Sequence, residues 1–323
     1  APATDADWRR VAEESLDGAP FEKKLITRTP EGIDLQPIYT RREADTAAAG
    51  GEWPGLAPYV RGSDALGSRP NGWLICQEMG GSAPAEFNAA LREALERGQN
   101  AVLLPVASPI DGRGLNLNTL ADVEVALGGV DLAAVPLFAS AGVTALPLAQ
   151  LLHTWLGSQG RSSDLHGALL ADPLTALVRQ GTLPCRLAEA LDDMATLTSW
   201  AQREGLRLRT IGVDAGQWAE AGGHAVQELA FGLATGIDYL RALDARGVPI
   251  DEAAPRVLFT HALGSSFFME IAKLRAARLL WARAVQAAGG GAEAQRLVGH
   301  GRTSRWNKTV LDPHVNLLRA TTE

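Results

Sequence analysis

The chain has 323 residues, 46% of them hydrophobic and 21% charged, an ordinary globular composition with room for one large domain or two modest ones. A net charge of −7 and a pI of about 5.5 exclude electrostatic attraction to nucleic acid or to an anionic membrane. Two cysteines, Cys76 and Cys185, support neither a disulfide framework nor a zinc cluster, which makes a reducing cytoplasm the expected location.

Residues 1–10 are polar and acidic, with no apolar signal core, and no apolar stretch reaches the roughly 18–20 residues of a membrane span. Asp7 begins a predicted helix over 8–16, which stops at Asp17-Gly18. The run that follows carries Pro30, Pro37, Pro54, Pro58 and Pro70, a density that denies a regular helix or a central strand. Phe21, Leu25, Ile33, Ile38 and Tyr39 call for burial. Residues 1–72 therefore read as an extended N-terminal arm that lies across another surface.

From residue 73 the pattern becomes rhythmic. Short apolar runs at 72–77, 101–106, 134–139, 165–171, 208–213, 256–262 and 296–300 read as strands. Helical spacing lies between them: Phe87, Leu91 and Leu95 within 85–97, and Phe268, Ile271, Leu274 and Leu279 within 265–287. Strand-then-helix repetition without hairpin signals indicates a parallel sheet with crossover helices. Residues 73–323 thus hold about seven βα units, and the fold class is α/β, a TIM (β/α)8-type barrel. No dinucleotide fingerprint opens a helix, which weighs against a doubly wound sheet. Seven strands leave such a barrel one short and with two raw edges, so the expectation is a fragment lacking its last strand.

The motifs are weak on their own. Gly289-Gly290-Gly291 follows a helix and precedes a strand, the reverse of a phosphate loop, and reads as a helix stop. Asp312-Pro313-His314 resembles the start of the Asp-x-His-x-x-Gly signature of base-off cobalamin proteins, but Leu317 stands at the glycine position, and the match reads as coincidence. No histidine pair has metal-ligand spacing. His261 and His300 fall at predicted strand C-termini, where barrel enzymes keep their catalysts, as do Glu78, Asp172 and Asp214. The bland reading of each is a hydrogen-bonded rim residue.

A resemblance takes the reading further. Phe21-Glu22-Lys23, Glu31-Gly32-Ile33, Pro37-Ile38-Tyr39, Pro54-Gly55, Pro58-Tyr59 and Arg61-Gly62 match the segment before the first strand of the adenosylcobalamin-dependent acyl-CoA mutases. Gly236-Ile237-Asp238-Tyr239 and the run Phe267 to Arg275, leading to Arg278 and Trp281, extend the match over nearly the whole chain. The chain resembles the methylmalonyl-CoA mutase family, and within it most the non-catalytic small (beta) subunit, truncated before the cobalamin-type domain.

That resemblance implies a heterodimeric isomerase whose catalytic large subunit binds the acyl-CoA along its barrel axis and carries adenosylcobalamin. This chain departs from the catalytic pattern. Where that pattern reads Arg-Gln-Tyr-Ala-Gly, Cys76-Gln77-Glu78-Met79-Gly80 stands here, with Glu78 replacing the tyrosine. Gln217 stands where a histidine bonds the substrate carbonyl, and Ala168, Leu170 and Leu258 replace small polar residues of the axis. Bulky branched side chains fill an ordinary barrel axis, so these exchanges imply a closed axis that does not thread pantetheine. The expectation is a structural subunit with no catalytic residues, Glu78, Gln217 and Leu170 marking the degenerate positions. No cofactor or metal is expected on this chain, no C-terminal cobalamin-binding domain over these residues, and the large subunit as partner. The alternative is an active acyl-CoA isomerase working with a separate cobalamin-binding chain, its substrate held by Gln77, Gln217, Arg256 and His261. A third reading is a remnant of a disrupted gene, without a partner.

Overall fold

The computed structural model describes residues 4–41, 53–67 and 72–323. The chain divides into two compact units, residues 1–52 and residues 53–323. The division falls inside the 1–72 arm; Pro70 and residues 42–52 lie outside the described residues.

In the first unit, helix α1 (Asp5–Glu14) starts on a capping box, in which Thr4 and Asp7 satisfy each other's backbone N–H groups. Helix α2 (Phe21–Lys24) carries the one aromatic kernel, Phe21, edge-on to Trp8 and under the Arg9 guanidinium. Strands β1 (Thr27–Arg28) and β2 (Asp34–Leu35) pair antiparallel around Gly32, whose φ of +79° suits glycine. Ile33, Ile38 and Tyr39 remain exposed, so of the residues expected to seek burial only Phe21 is fully covered.

In the second unit, residues 53–67 pack onto the barrel. Tyr59 is buried and donates its hydroxyl to the Ala292 carbonyl at 2.9 Å, and Ser63 donates to the Leu297 carbonyl. Helix α3 (Pro84–Glu96) has proline in its first turn and buries Phe87 and Leu91, as their spacing requires. Then follow β3 (Val102–Leu104), α4 (Leu120–Leu127), β4 (Leu137–Ser140), α5 (Ala145–Ser158), β5 (Gly167–Ala171), α6 (Pro173–Gln180), α7 (Leu187–Arg203), β6 (Leu208–Asp214), α8 (Gly216–Glu220), α9 (Ala225–Asp244), α10 (Ile250–Ala253), β7 (Val257–Leu263), α11 (Phe267–Ala287), β8 (Gly299–Thr303) and α12 (Val315–Thr322).

Strands β3 to β8 form one parallel sheet in sequential order, curled as part of a barrel, with the helices outside. The α/β barrel class is therefore the observed one. Six of the seven expected strands form, and residues 72–77 do not. Only Asn100 serves that segment: its Oδ1 accepts from the Ile75 N–H, and its own N–H donates to the Ile75 carbonyl. With a third bond, from Asn100 Nδ2 to the Trp73 carbonyl, all three go to one residue and make no ladder, and Trp73 stays 76% exposed. The main core lies between the sheet and the helices, where Phe259 and Trp281 meet edge to face at 4.9 Å.

Helix α11 buries a different face from the expected one. Phe268 is 82% exposed, and Ile271 is exposed too. The face turned inward carries Lys273, Ala277, Trp281 and Val285, four residues apart. The helix ends in a Schellman motif: Gly289 N–H donates to the Gln286 carbonyl and Gly290 N–H to that of Val285. The triple glycine is thus the helix stop its order suggests.

Candidate functional site

Register partners on adjacent parallel strands project to the same face, so the ladder pairings sort the inner face of the sheet into layers. The lowest holds Leu103, Phe138, Ala168 and Arg209. The next holds the pairs Ser140 with Leu170 and Gly212 with Leu258, which the β5–β6 register shift leaves unpaired to each other but which meet where Gly212 approaches the Leu170 Cβ. Ala168, Leu170 and Leu258 are buried and pack with Phe138 and Val298 in a cluster separate from the main core. The top layer, at the strand C-termini, is polar: Asp214, Thr260 and His300 stand in register on β6, β7 and β8.

Asp172 ends β5 beside this layer. Its Oδ1 accepts from the Tyr239 hydroxyl at 2.6 Å and caps α6 through the Thr175 N–H, while Oδ2 accepts from the Asp214 N–H. Tyr239 in turn accepts from the Leu174 N–H. Burial pushes the Asp172 carboxyl up to about 6, with the Asp214 charge adding to it against these three donors. Asp214 Oδ2 accepts from Gln217 Nε2 at 2.9 Å, and Oδ1 is buried without a hydrogen-bond donor. Burial and the charge of Arg302 lower His300, opposed by Asp214 and Glu78. At the mouth, Arg305 Nη2 donates to both Glu78 oxygens at 3.2 Å, in a pair more than half exposed.

The pH dependence of stability follows from Asp172. The native carboxyl binds its proton more tightly than the unfolded chain does, since its value is raised. Its contribution is therefore present below the ordinary aspartate value and is lost as pH rises through about 6. Relative to Asp172→Asn, the wild-type chain is expected to lose about 2–3 kcal/mol between roughly pH 4 and pH 7. Urea denaturation of both proteins across that range checks it; a wild-type stability that gains on the variant as pH rises contradicts the assignment.

The expected site residues scatter. Gln217 is in the rim, but its amide is committed to Asp214. Leu170 lies in the apolar layer below. Gln77 is exposed on the segment that forms no strand. Arg256 precedes β7 at the opposite end of the sheet, donating to the Leu208 and Leu206 carbonyls and to Gln202. His261 faces outward into the helix layer, with Nδ1 3.2 Å from Glu228 Oε1 and Nε2 unpartnered. Arg256 and His261 both lie away from the inner face, and their hydrogen bonds go to Leu206, Leu208 and Gln202 and to Glu228. Thr260 in the rim escapes the reading of the sequence, because β7 is buried on both faces and its composition does not mark one side.

Among the described residues no group of three or more His, Cys, Asp or Glu could hold a metal ion. Asp312 accepts from the His314 N–H in the turn that opens α12, and Leu317 lies within that helix. No described helix is long and apolar enough to cross a membrane.

Six parallel strands curled with helices outside and a polar layer at the strand C-termini define a partial barrel of the (β/α)8 type. The family profile described as methylmalonyl-CoA mutase matches residues 28–323. The chain is 38% identical to the methylmalonyl-CoA mutase small subunit of Streptomyces virginiae, over 99% of this chain and 51% of that protein. It is 34% identical to the small subunit from Porphyromonas gingivalis, over 100% of this chain and 50% of that one. The large subunit of Streptomyces virginiae is 31% identical, over 98% of this chain and 45% of its own length. The chain belongs to the methylmalonyl-CoA mutase family, and it spans about half the length of these relatives.

Proposed function

We propose that this chain is the barrel portion of a structural, non-catalytic small subunit of methylmalonyl-CoA mutase. It pairs with a catalytic large subunit that supplies adenosylcobalamin and the isomerisation of methylmalonyl-CoA and succinyl-CoA. The observation that carries the reading is the apolar cluster of Ala168, Leu170 and Leu258, buried where a channel for a CoA tail would have to run. The higher identity to small subunits than to a large one points the same way. The alternative, an active isomerase using Gln217 as carbonyl donor, would have to break the bond from Gln217 to Asp214.

Two measurements test the proposal. Light scattering after size-exclusion chromatography, on this chain mixed with the same organism's large-subunit chain, is expected to show a one-to-one complex. Calorimetry of this chain alone with methylmalonyl-CoA is expected to show no heat of binding at millimolar ligand. Separate elution removes the partnership, and a saturable CoA-ester isotherm removes the non-catalytic role.

A further inference from the structure

Buried polar groups in folded proteins almost always find a partner. At the upper rim a group of neighbouring side chains does not. Asp214 Oδ1 is buried without a donor, and Arg302 Nε is buried without an acceptor. Thr260 is only 7% exposed, yet its hydroxyl makes no hydrogen bond among the described residues, and neither does a ring nitrogen of the half-buried His300. No carboxylate among the described residues pairs with Arg302. The sheet register brings these groups together. Asp214, Thr260 and His300 are partners on adjacent strands, and Arg302, two residues beyond His300, projects to the same face. Beside Arg302 on β7 stands Ala262, too short to engage the guanidinium. Burial and the Arg302 charge hold the His300 imidazole below its ordinary value, so at neutral pH it offers one donor and one acceptor nitrogen. The remaining rim groups are committed: Asp172 to Tyr239, Thr175 and the Asp214 N–H, Gln217 Nε2 to Asp214 Oδ2, and Glu78 to Arg305.

We propose that Asp214, Thr260, His300 and Arg302 form a binding site for a short carboxylate whose other end donates a hydrogen bond, as in a small hydroxy acid or amino acid. Charge selects this class. A simple anion on Arg302 leaves Asp214 Oδ1 without a donor and faces its charge, and a simple cation on Asp214 faces Arg302. One molecule carrying both functions satisfies both groups. Its carboxylate meets the guanidinium with His300 alongside, and its hydroxyl or ammonium meets Asp214 with Thr260 between them. Two strand spacings of about 4.8 Å and two residues of about 3.3 Å put the Asp214 and Arg302 Cα atoms about 12 Å apart. The two side chains reach into that span from either end, so the ligand is short. The site lies wholly within this chain and does not depend on the structural-subunit reading.

The experiment follows the imidazole resonances of His300 in the whole chain by NMR, assigned with His300→Asn, while glycolate, glycine, acetate or ethylammonium is added. Glycolate or glycine is expected to shift them saturably with a millimolar Kd, and the tighter of the two identifies the donor as hydroxyl or ammonium. Acetate and ethylammonium, each with one function only, are expected to bind at least about tenfold more weakly, the worth of one charge-assisted hydrogen bond. Arg302→Gln is expected to lose at least about tenfold in affinity for the tighter probe, and Thr260→Val about fivefold. No saturable shift with any probe means that water alone fills the rim, and overturns the proposal. Acetate binding as tightly as glycolate and glycine, or unchanged affinity in Arg302→Gln, overturns it too. Should Arg302→Gln not fold, Thr260→Val, which keeps the side-chain shape, decides in its place, and unchanged affinity there refutes the site. Complex formation with the large-subunit chain is a separate readout that none of these results alters.

Discussion

Lys273→Met is expected to destabilise the protein by about 3–5 kcal/mol, because it strands a buried carboxylate. Strand β7 runs past its last pairing with β6, which is Asp214 with Thr260. The backbone of Ala262 on that side therefore has no ladder partner. Glu228 from α9 and Lys273 from α11 take the place of the missing strand: Glu228 Oε1 accepts from the Ala262 N–H at 3.0 Å, and Lys273 Nζ donates to the Ala262 carbonyl. The two side chains also pair with each other at 2.7 Å, and Lys273 has a second ion pair to Glu270.

Glu228, His261 and Lys273 are all buried. Burial alone would raise the Glu228 carboxyl, but the hydrogen bond to His261 and the charge of Lys273 outweigh it and hold Glu228 below its ordinary value. Removing the lysine leaves that charge and the Ala262 carbonyl uncompensated. The loss corresponds to a Tm drop on the order of 10 °C. Glu228→Gln/Lys273→Met, which removes both charges, is expected to cost clearly less than the sum of the single changes. A Lys273→Met protein within about 1 kcal/mol of wild type would show that the pair is dispensable.

Gly167→Ala is expected to be at least as damaging, above about 4 kcal/mol. Gly167 opens β5 at φ +114°, and a Cβ there would lie 2.2 Å from the Leu137 carbonyl oxygen and 2.8 Å from its nitrogen. Both are backbone atoms of β4, so no side chain can swing aside to relieve the clash. The ladder between β4 and β5 has to open. Gly181, which ends α6 at φ +71° and where an added Cβ would meet nothing within 4 Å, provides the control. Gly181→Ala is expected to cost only about 1 kcal/mol, the conformational penalty without a clash. Equal losses for the two variants in urea denaturation would refute the close-approach argument.

Much of the barrel is legible locally. Leu91 follows Phe87 by four residues, and α3 buries both. Asp172 reads as a strand end, and in the structure it follows β5 and caps α6. The first strand fails for a physical reason: residues 72–77 have apolar side chains but little backbone to pair with, and strand propensity without a ladder does not make a strand. The buried face of α11 is hidden from sequence reading because Lys273 and Ala277 stand on it with Trp281 and Val285, while Phe268 and Ile271 at apolar spacing stay exposed. A lysine reads as solvent-facing until Glu228, distant in sequence, is seen beside it.

The amino-acid sequence by itself determined the alternation of strands and helices, the family, and the apolar character of positions 168, 170 and 258. These depend on residue type and spacing along one segment at a time. Only the tertiary structure decided that His261 turns outward to Glu228, that Arg256 is spent on carbonyls at the far end, and that Gln217 is tied to Asp214. It alone decided that Leu170 seats over Gly212. In a strand buried on both faces, composition does not tell one side from the other. A buried polar group is defined by the partner that satisfies it, and here those partners come from other elements of the fold.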